Sequence, residues 1–220
     1  MTDTMCARLA LRRLLPKRGG KIADVCGGFG RLTNEYIDRY KESYLFDYAP
    51  NLLEQAKTEY GDRLRIVQGS VYAMPFETGK FDAVIMVRAA HHLTDLNAAV
   101  KELSRILKNG GLAIIEISNK RNFFEIVRWC CGCSALHPFS LETESRNKAG
   151  FFYYHPRYVE RIFKQNNMRI RKTIAVSGLR RHVSTKFKYV PLFYALEYFF
   201  QNTIGHFKCS PSLYYLLVRE

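Results

Sequence analysis

Lys21-Ile22-Ala23-Asp24-Val25-Cys26-Gly27-Gly28-Phe29-Gly30 is the stretch that decides how this chain folds. A short apolar run with two β-branched residues, Ile22 and Val25, leads into three glycines within four positions. A segment with Leu32, Tyr36 and Ile37 on one face follows, and its pattern predicts a helix over 29–40. Strand, glycine turn and helix open a nucleotide-binding βα unit. The glycines let backbone come close to a ligand, and a helix start offers unpaired N–H groups. Alone, the pattern is common; its meaning depends on what stands downstream.

Downstream the periods alternate. A strand is expected at Tyr44–Asp47, ending on a carboxylate 17 residues after Gly30, and Pro50 opens a helix. Leu64–Val67 reads as a third strand closing at Gly69-Ser70, and the apolar run Phe81–Val87 as a fourth, buried on both faces. Asp95 is placed to cap a helix that Asn109-Gly110-Gly111 would end, and Leu112–Ile117 is a fifth strand. Strict β/α alternation means a parallel, doubly wound sheet. Before it, Ala7 to Leu15 predict a short helix stopped by Pro16. After Ser118, residues 119–154 read as irregular and aromatic. Pro156 then starts a helix, Arg169–Val176 is a strand, 178–211 is an aromatic and basic insertion with a helix expected over 190–200, and Ser212–Arg219 is the last strand. The expectation is one domain over 1–220, with a core at 20–118 and cap insertions at 119–154 and 178–211.

The totals set bounds. The chain has 220 residues, 47% of them hydrophobic, enough for a sizeable core. Its 34 basic against 20 acidic residues give a net charge of +14, which suits an anionic partner such as nucleic acid, acidic lipid or a phosphorylated small molecule. The basic residues are spread along the chain, which fits an ordinary basic surface equally well. The six cysteines follow no disulfide framework, so a reducing, cytoplasmic setting is expected. The first 21 residues lack the apolar core of a secretory signal, and the run Tyr189–Phe200, interrupted by Glu197, is shorter than the roughly 20 residues that span a bilayer.

Taken together, Asp24 to Gly30, Phe46-Asp47-Tyr48-Ala49-Pro50, Gly69-Ser70-Val71 through Met74-Pro75-Phe76, Phe81-Asp82-Ala83-Val84, His91-His92-Leu93 and Leu107 to Gly111 resemble the class I S-adenosylmethionine-dependent methyltransferases. The likeness is strongest to the subgroup that includes the ubiquinone/menaquinone C-methyltransferases and covers about residues 20–118. It implies a Rossmann-like α/β fold with a seven-stranded, mostly parallel sheet and an antiparallel last strand. It also implies a cofactor site: Asp24, Cys26, Gly27, Gly28, Phe29 and Gly30 around the methionine part, Asp47 on the ribose, Tyr48 against the adenine, Gly69, Ser70 and Val71 bounding the base, and Arg88 and His92 near the sulfonium. S-adenosyl-L-methionine would be the donor and S-adenosyl-L-homocysteine the product.

Two positions depart from the family. Cys26 replaces the first loop glycine, where a positive φ would be disfavoured. Ser70 replaces an acidic residue, so a charge-assisted bond to the adenine amine is lost, a difference of about 1 kcal/mol. Weaker cofactor binding is expected. Candidates for chemistry on the acceptor are His91, His92, Tyr153, Tyr154 and His155, each also readable as structural. Cys130, Cys131 and Cys133, with His137, His206 and Cys209, match no standard zinc spacing and are read as thiols without metal.

The expected function is methyl transfer to a small, partly apolar acceptor. An RNA methyltransferase is suggested by charge alone, and a cofactor-binding but inactive scaffold by Cys26 and Ser70. The segment 186–208 mixes aromatics with lysines and suits a lid over an apolar acceptor, which is the favoured reading, contact with an anionic membrane, or a helix packed on the sheet edge with a solvated basic side.

Overall fold

A computed structural model of the chain describes residues 2–145, 150–176 and 208–220. The helix expected over 190–200 and most of the second insertion lie outside them. In chain order the elements are α1 (Thr2–Leu14), β1 (Gly19–Val25), β2 (Tyr40–Asp47), α2 (Pro50–Tyr60), β3 (Arg65–Gln68), β4 (Phe81–Met86), α3 (Leu96–Ile106), β5 (Leu107–Ser118), α4 (Phe123–Cys130), β6 (Glu144–Ser145), β7 (Phe152–Tyr153), α5 (Pro156–Gln165), β8 (Met168–Val176) and β9 (Ser212–Arg219).

Seven strands form one sheet in the order β3-β2-β1-β4-β5-β9-β8. The pairs from β3 to β5 are parallel, while β9 runs antiparallel to both its neighbours. This is the Rossmann-like sheet expected. From β1 the chain winds outward to β2 and β3, then returns to lay β4 on the other side of β1. That reversal is the switch point where open α/β sheets bind ligands. The strands bury both faces. On one side Val84, Met86, Ile115 and Tyr215 pack with Val100 and Leu103 of α3 and Val159 and Phe163 of α5. On the other, Ile22, Leu45, Ile85 and Ile114 pack with Ala7, Leu11 and Leu14 of α1 and Leu53 and Ala56 of α2.

Three local expectations are corrected. The helix over 29–40 is absent: the segment is a run of turns with one 3-10 turn at Thr33–Glu35. Its residues are committed elsewhere. Gly30 takes φ +80°, Tyr36 turns inward to hydrogen-bond buried Asp24, and Arg12 of α1 holds buried Glu35. β2 also starts at Tyr40, opposite Gly19, so the fourteen residues 26–39 make the whole crossover. Asn109-Gly110-Gly111 does not cap α3. The helix ends at Ile106, and these residues lie inside a longer β5, where Gly110 takes φ +76° beside a register shift. The stretch 119–154 contains α4 and the short β6–β7 hairpin. Asn122 caps α4 by accepting from the Glu125 amide at 3.0 Å, a signal its position in the sequence carried.

Candidate active site

The loop after β1, the end of β2, the turn after β3 and the segment after β4 meet at one end of the sheet. Gly27 has no room for a side chain: a Cβ there would lie 2.5 Å from Leu45 and 2.7 Å from the Asp24 carboxyl carbon. A Cβ on Gly28, at φ +58°, would meet only Leu52, at 3.6 Å, so this backbone faces open cleft. Cys26 adopts φ +57°, the conformation that the sequence argument held against it. Burial, helped by the Asp47 and Asp24 charges, pushes its thiol up to about 12, so it is a neutral SH at physiological pH.

Asp47 is fixed from two sides. Its Oδ2 accepts from the Gly28 amide at 2.8 Å and its Oδ1 from the Ala49 amide at 3.0 Å. Each oxygen keeps a further lone pair for a ligand. Beyond it lies a cavity of about 750 Å³, walled by Tyr48, Gly69, Ser70, Val71, Arg88 and His92 among others. Tyr48 is 77% exposed there. The Ser70 hydroxyl accepts from the Tyr72 amide at 3.3 Å. Tyr72 in turn accepts from the Thr94 amide at 3.0 Å, bracing the rim across the cavity.

A second cavity of about 200 Å³ adjoins the first and shares Cys26, Leu52 and Arg88 with it. Asp24, Phe29 and Arg31 line it. Asp24 is buried beneath the loop and accepts from the Tyr36 hydroxyl at 3.2 Å. Burial pushes its carboxyl up to about 7, against the pull of Tyr36 and Arg31, while Asp47 adds to the rise. The Arg31 Nε is buried with no hydrogen-bond partner, and burial followed by the neighbouring Arg88 lowers its guanidinium pKa. Arg88 takes φ +60°, and its amide donates to buried Glu116 at 2.6 Å. The sequence reading missed Arg31, Leu52 and Glu116. Arg31 directly follows the loop and was accessible to it. Glu116 faces Arg88 only through the pairing of β4 with β5.

The candidates for acceptor chemistry separate. His92 is exposed on the large cavity's wall. His91 is buried, with Nδ1 3.4 Å from the Ser118 hydroxyl and its ring stacked on Phe151 at 4.1 Å. Burial, then the charges of His92 and Arg88, lowers its pKa to about 3. Tyr154 directs its hydroxyl at the Ala90 and Leu93 carbonyls, at 3.0 and 3.2 Å. His155 caps α5, its Nδ1 accepting from the Arg157 amide at 3.2 Å. Tyr153 sits in β7 with its ring 5.0 Å from Phe151. Tyr154 braces the turn that carries His91 and His92, and none of His91, Tyr153, Tyr154 and His155 lines the cavity. Cys130, Cys131 and Cys133 are exposed, and among the described residues no three His, Cys, Asp or Glu side chains are grouped to hold a metal ion.

Residues 23–115 match the family described as "Methyltransferase domain". That match covers 93 of the 220 residues, from within β1 to within β5, the part of the chain that builds the cleft, and over it the chain is similar to methyltransferase domains. The ubiquinone/menaquinone biosynthesis C-methyltransferase UbiE of Hahella chejuensis is 29% identical over 115 residues, 48% of this chain and 46% of that protein. Demethylmenaquinone methyltransferase of Staphylococcus carnosus is 29% identical over 109 residues, 47% of this chain and 45% of that one. The chain thus spans less than half the length of these relatives. An S-adenosylmethionine-dependent methyltransferase structure from Thermotoga maritima shares the fold, with TM-score 0.70 at 15% identity, over 100% of this chain and 90% of that one. No helix among the described residues is long and apolar enough to cross a membrane.

Proposed function

We propose that this protein transfers a methyl group from S-adenosylmethionine to a small, partly apolar acceptor. The observation that carries the reading is Asp47, a buried carboxylate at the end of β2, held by two amides and facing a cavity of about 750 Å³. That volume lies within the roughly 300–1,000 Å³ usual for small-molecule sites.

The residues present fit this cofactor. Asp47 is a planar acceptor suited to a pair of ribose hydroxyls, with Tyr48 beside it for a base to lie against. The smaller cavity sets the Asp24 carboxylate opposite Arg31 and Arg88, a charge pattern that matches an amino group and a carboxylate on one carbon. The buried Arg31 Nε is a donor in want of an acceptor. Open backbone at Gly28 leaves room between the two cavities. Gly69, Ser70 and Val71 bound the base, Ser70 through a neutral hydroxyl.

When bound, the cofactor supplies a methyl group already activated on a sulfonium. The chain's own task is then positioning, which is worth on the order of 7–11 kcal/mol at best. Arg88 and Glu116 fix the backbone where the two cavities meet. His92 faces the large cavity and takes the proton that an acceptor O–H or C–H must lose. The neutral Cys26 thiol adds no charge beside the donor. The names of the relatives support a quinone-type ring as the acceptor class.

Titration with S-adenosylhomocysteine tests the donor site. Turnover with demethylated quinone precursors, read as release of that product, tests the acceptor. Binding without turnover on any precursor would favour the inactive scaffold, which the Cys26 side chain in both cavity walls keeps in view.

A further inference from the structure

α4 runs out on Cys130-Cys131-Gly132-Cys133, three of the chain's six cysteines, and methyl transfer uses none of them. Hydrogen bonds define the turn that holds them. The Cys131 amide closes the last helical turn on the Val127 carbonyl at 3.0 Å. Gly132 takes φ +68° and its amide donates to the Trp129 carbonyl at 3.0 Å, while the Cys133 amide reaches back to the Arg128 carbonyl at 2.8 Å. Two such bonds around a left-handed glycine are the Schellman arrangement that stops helices. It fixes Cys131 and Cys133 on either side of one glycine.

Fixed there, the two come within reach of each other. Successive Cα atoms are about 3.8 Å apart, so residues flanking one glycine stand at most about 7 Å apart, and a turn draws them into the roughly 4.4–6.8 Å that a disulfide spans. The Cys133 thiol already leans that way, donating to the Cys131 carbonyl at 3.5 Å. Cys130 is poorly placed to pair with Cys131, because a bond between neighbours strains the planar peptide that joins them. Cys209 sits at the other end of α4, where its carbonyl accepts from the Phe123 amide, and the rise from Phe123 to Cys130 is about 10 Å.

The turn is also open and carries positive charge. All three thiols are exposed, and a Cβ on Gly132 would meet nothing within 4 Å. The Arg128 guanidinium donates to the Cys133 carbonyl at 3.3 Å. An exposed thiol near a cation, with a second thiol at hand to resolve it, is the setting of redox-reactive cysteines.

We propose that Cys131 and Cys133 form a redox-active dithiol that exchanges with small disulfides of the glutathione class. One cysteine, as thiolate, attacks a sulfur of glutathione disulfide, forms a mixed disulfide and expels a glutathione thiolate, which takes up the proton released. The other cysteine, as thiolate, then attacks the protein-bound sulfur, closes the Cys131–Cys133 bond and expels the second glutathione in the same way. Two protein thiols are oxidised and one glutathione disulfide is reduced to two thiols. Arg128 is placed to meet a carboxylate of the incoming tripeptide. Neither cysteine lines a cavity, so the inference does not depend on donor or acceptor.

The test is incubation of the reduced full chain with glutathione disulfide, quenched with acid and read by intact mass and peptide mapping. The parent should lose two hydrogens, with the new bond mapped to Cys131–Cys133, and C130S should do the same. C130S/C131S and C130S/C133S keep one thiol of the pair. Each should retain one glutathione on that thiol, roughly tenfold above the level in C130S, because the missing partner acts at an effective concentration in the millimolar range. No reaction in the parent, glutathione retained there without loss of hydrogens, a bond that maps to Cys130 or Cys209, or a bond that links two chains would overturn the proposal.

Discussion

The Gly28 amide donates to Asp47 Oδ2 across 2.8 Å, joining the loop after β1 to the end of β2. With the Ala49 bond, it makes Asp47 both a brace for the glycine loop and the group that faces the cavity. Asp47→Ala should therefore do two things. Two amides lose a charged acceptor, at a cost of about 1–3 kcal/mol of stability. Affinity for S-adenosylhomocysteine should fall by roughly 30- to 200-fold, as ribose bonds worth about 2–3 kcal/mol are lost. Denaturant titration and calorimetry read the two effects separately. A variant that unfolds more easily yet binds unchanged would leave Asp47 as a brace only.

Cys26 occupies φ +57°, where a side chain costs roughly 1–2 kcal/mol. Cys26→Gly removes that strain and takes a side chain out of both cavity walls, while the unfolded chain gains freedom. Stability should stay within about 1 kcal/mol of the parent, and affinity for S-adenosylhomocysteine should hold or rise. A clear loss of affinity would mean that the thiol contacts the ligand favourably or that the loop does not bind as described.

Burial holds the Asp24 carboxyl near 7, above its ordinary 3.8. The folded protein therefore keeps a proton that the unfolded chain releases above about pH 4. Asp24's contribution to stability is present below that pH and is lost as pH rises through 7. The ionised form is the one that pairs with an amino group, so ligand affinity should run the other way, rising about tenfold from pH 6 to pH 8. Asp24→Asn should flatten that profile. A parent profile already flat would place the amino group away from Asp24.

Tyr154 supplies a hydroxyl to the Ala90 and Leu93 carbonyls, which flank His92. Tyr154→Phe should lose about 0.5–1.5 kcal/mol, a drop in melting temperature of roughly 2–4 °C per kcal/mol. Affinity for S-adenosylhomocysteine should not change. Turnover lost completely at full stability would instead return Tyr154 to the chemistry.

What could be read from the sequence followed the periodicity. β4 and β9 are apolar runs with clear bounds, β1 and β5 start three and five residues ahead of their apolar runs, and Pro50, Asp95 and Pro156 mark helix starts that the structure places within a residue or so. The helix over 29–40 misled because Leu32, Tyr36 and Ile37 do share a buried environment, but as anchored turns, with Tyr36 held by Asp24. α4 was missed although its signals are local: Asn122 stands as its N-cap, and Phe123, Val127 and Cys130 recur at helical spacing. In the cleft, the loop and strand-end groups Cys26, Gly28, Asp47, Tyr48, Ser70 and Arg88 line the two cavities, whereas Gly30 packs against Thr33 and Tyr60. Long-range partners did not announce themselves. Glu116 beneath Arg88, and Tyr154 beneath the His91-His92 turn, depend on strand register and on a chain return that no local pattern records.

The donor site is the central claim, and calorimetric titration with S-adenosylhomocysteine tests it most directly. The account predicts saturable one-to-one binding in the micromolar range, weakened by Asp47→Ala and strengthened from pH 6 to pH 8. No heat of binding and no thermal shift at millimolar ligand would contradict it.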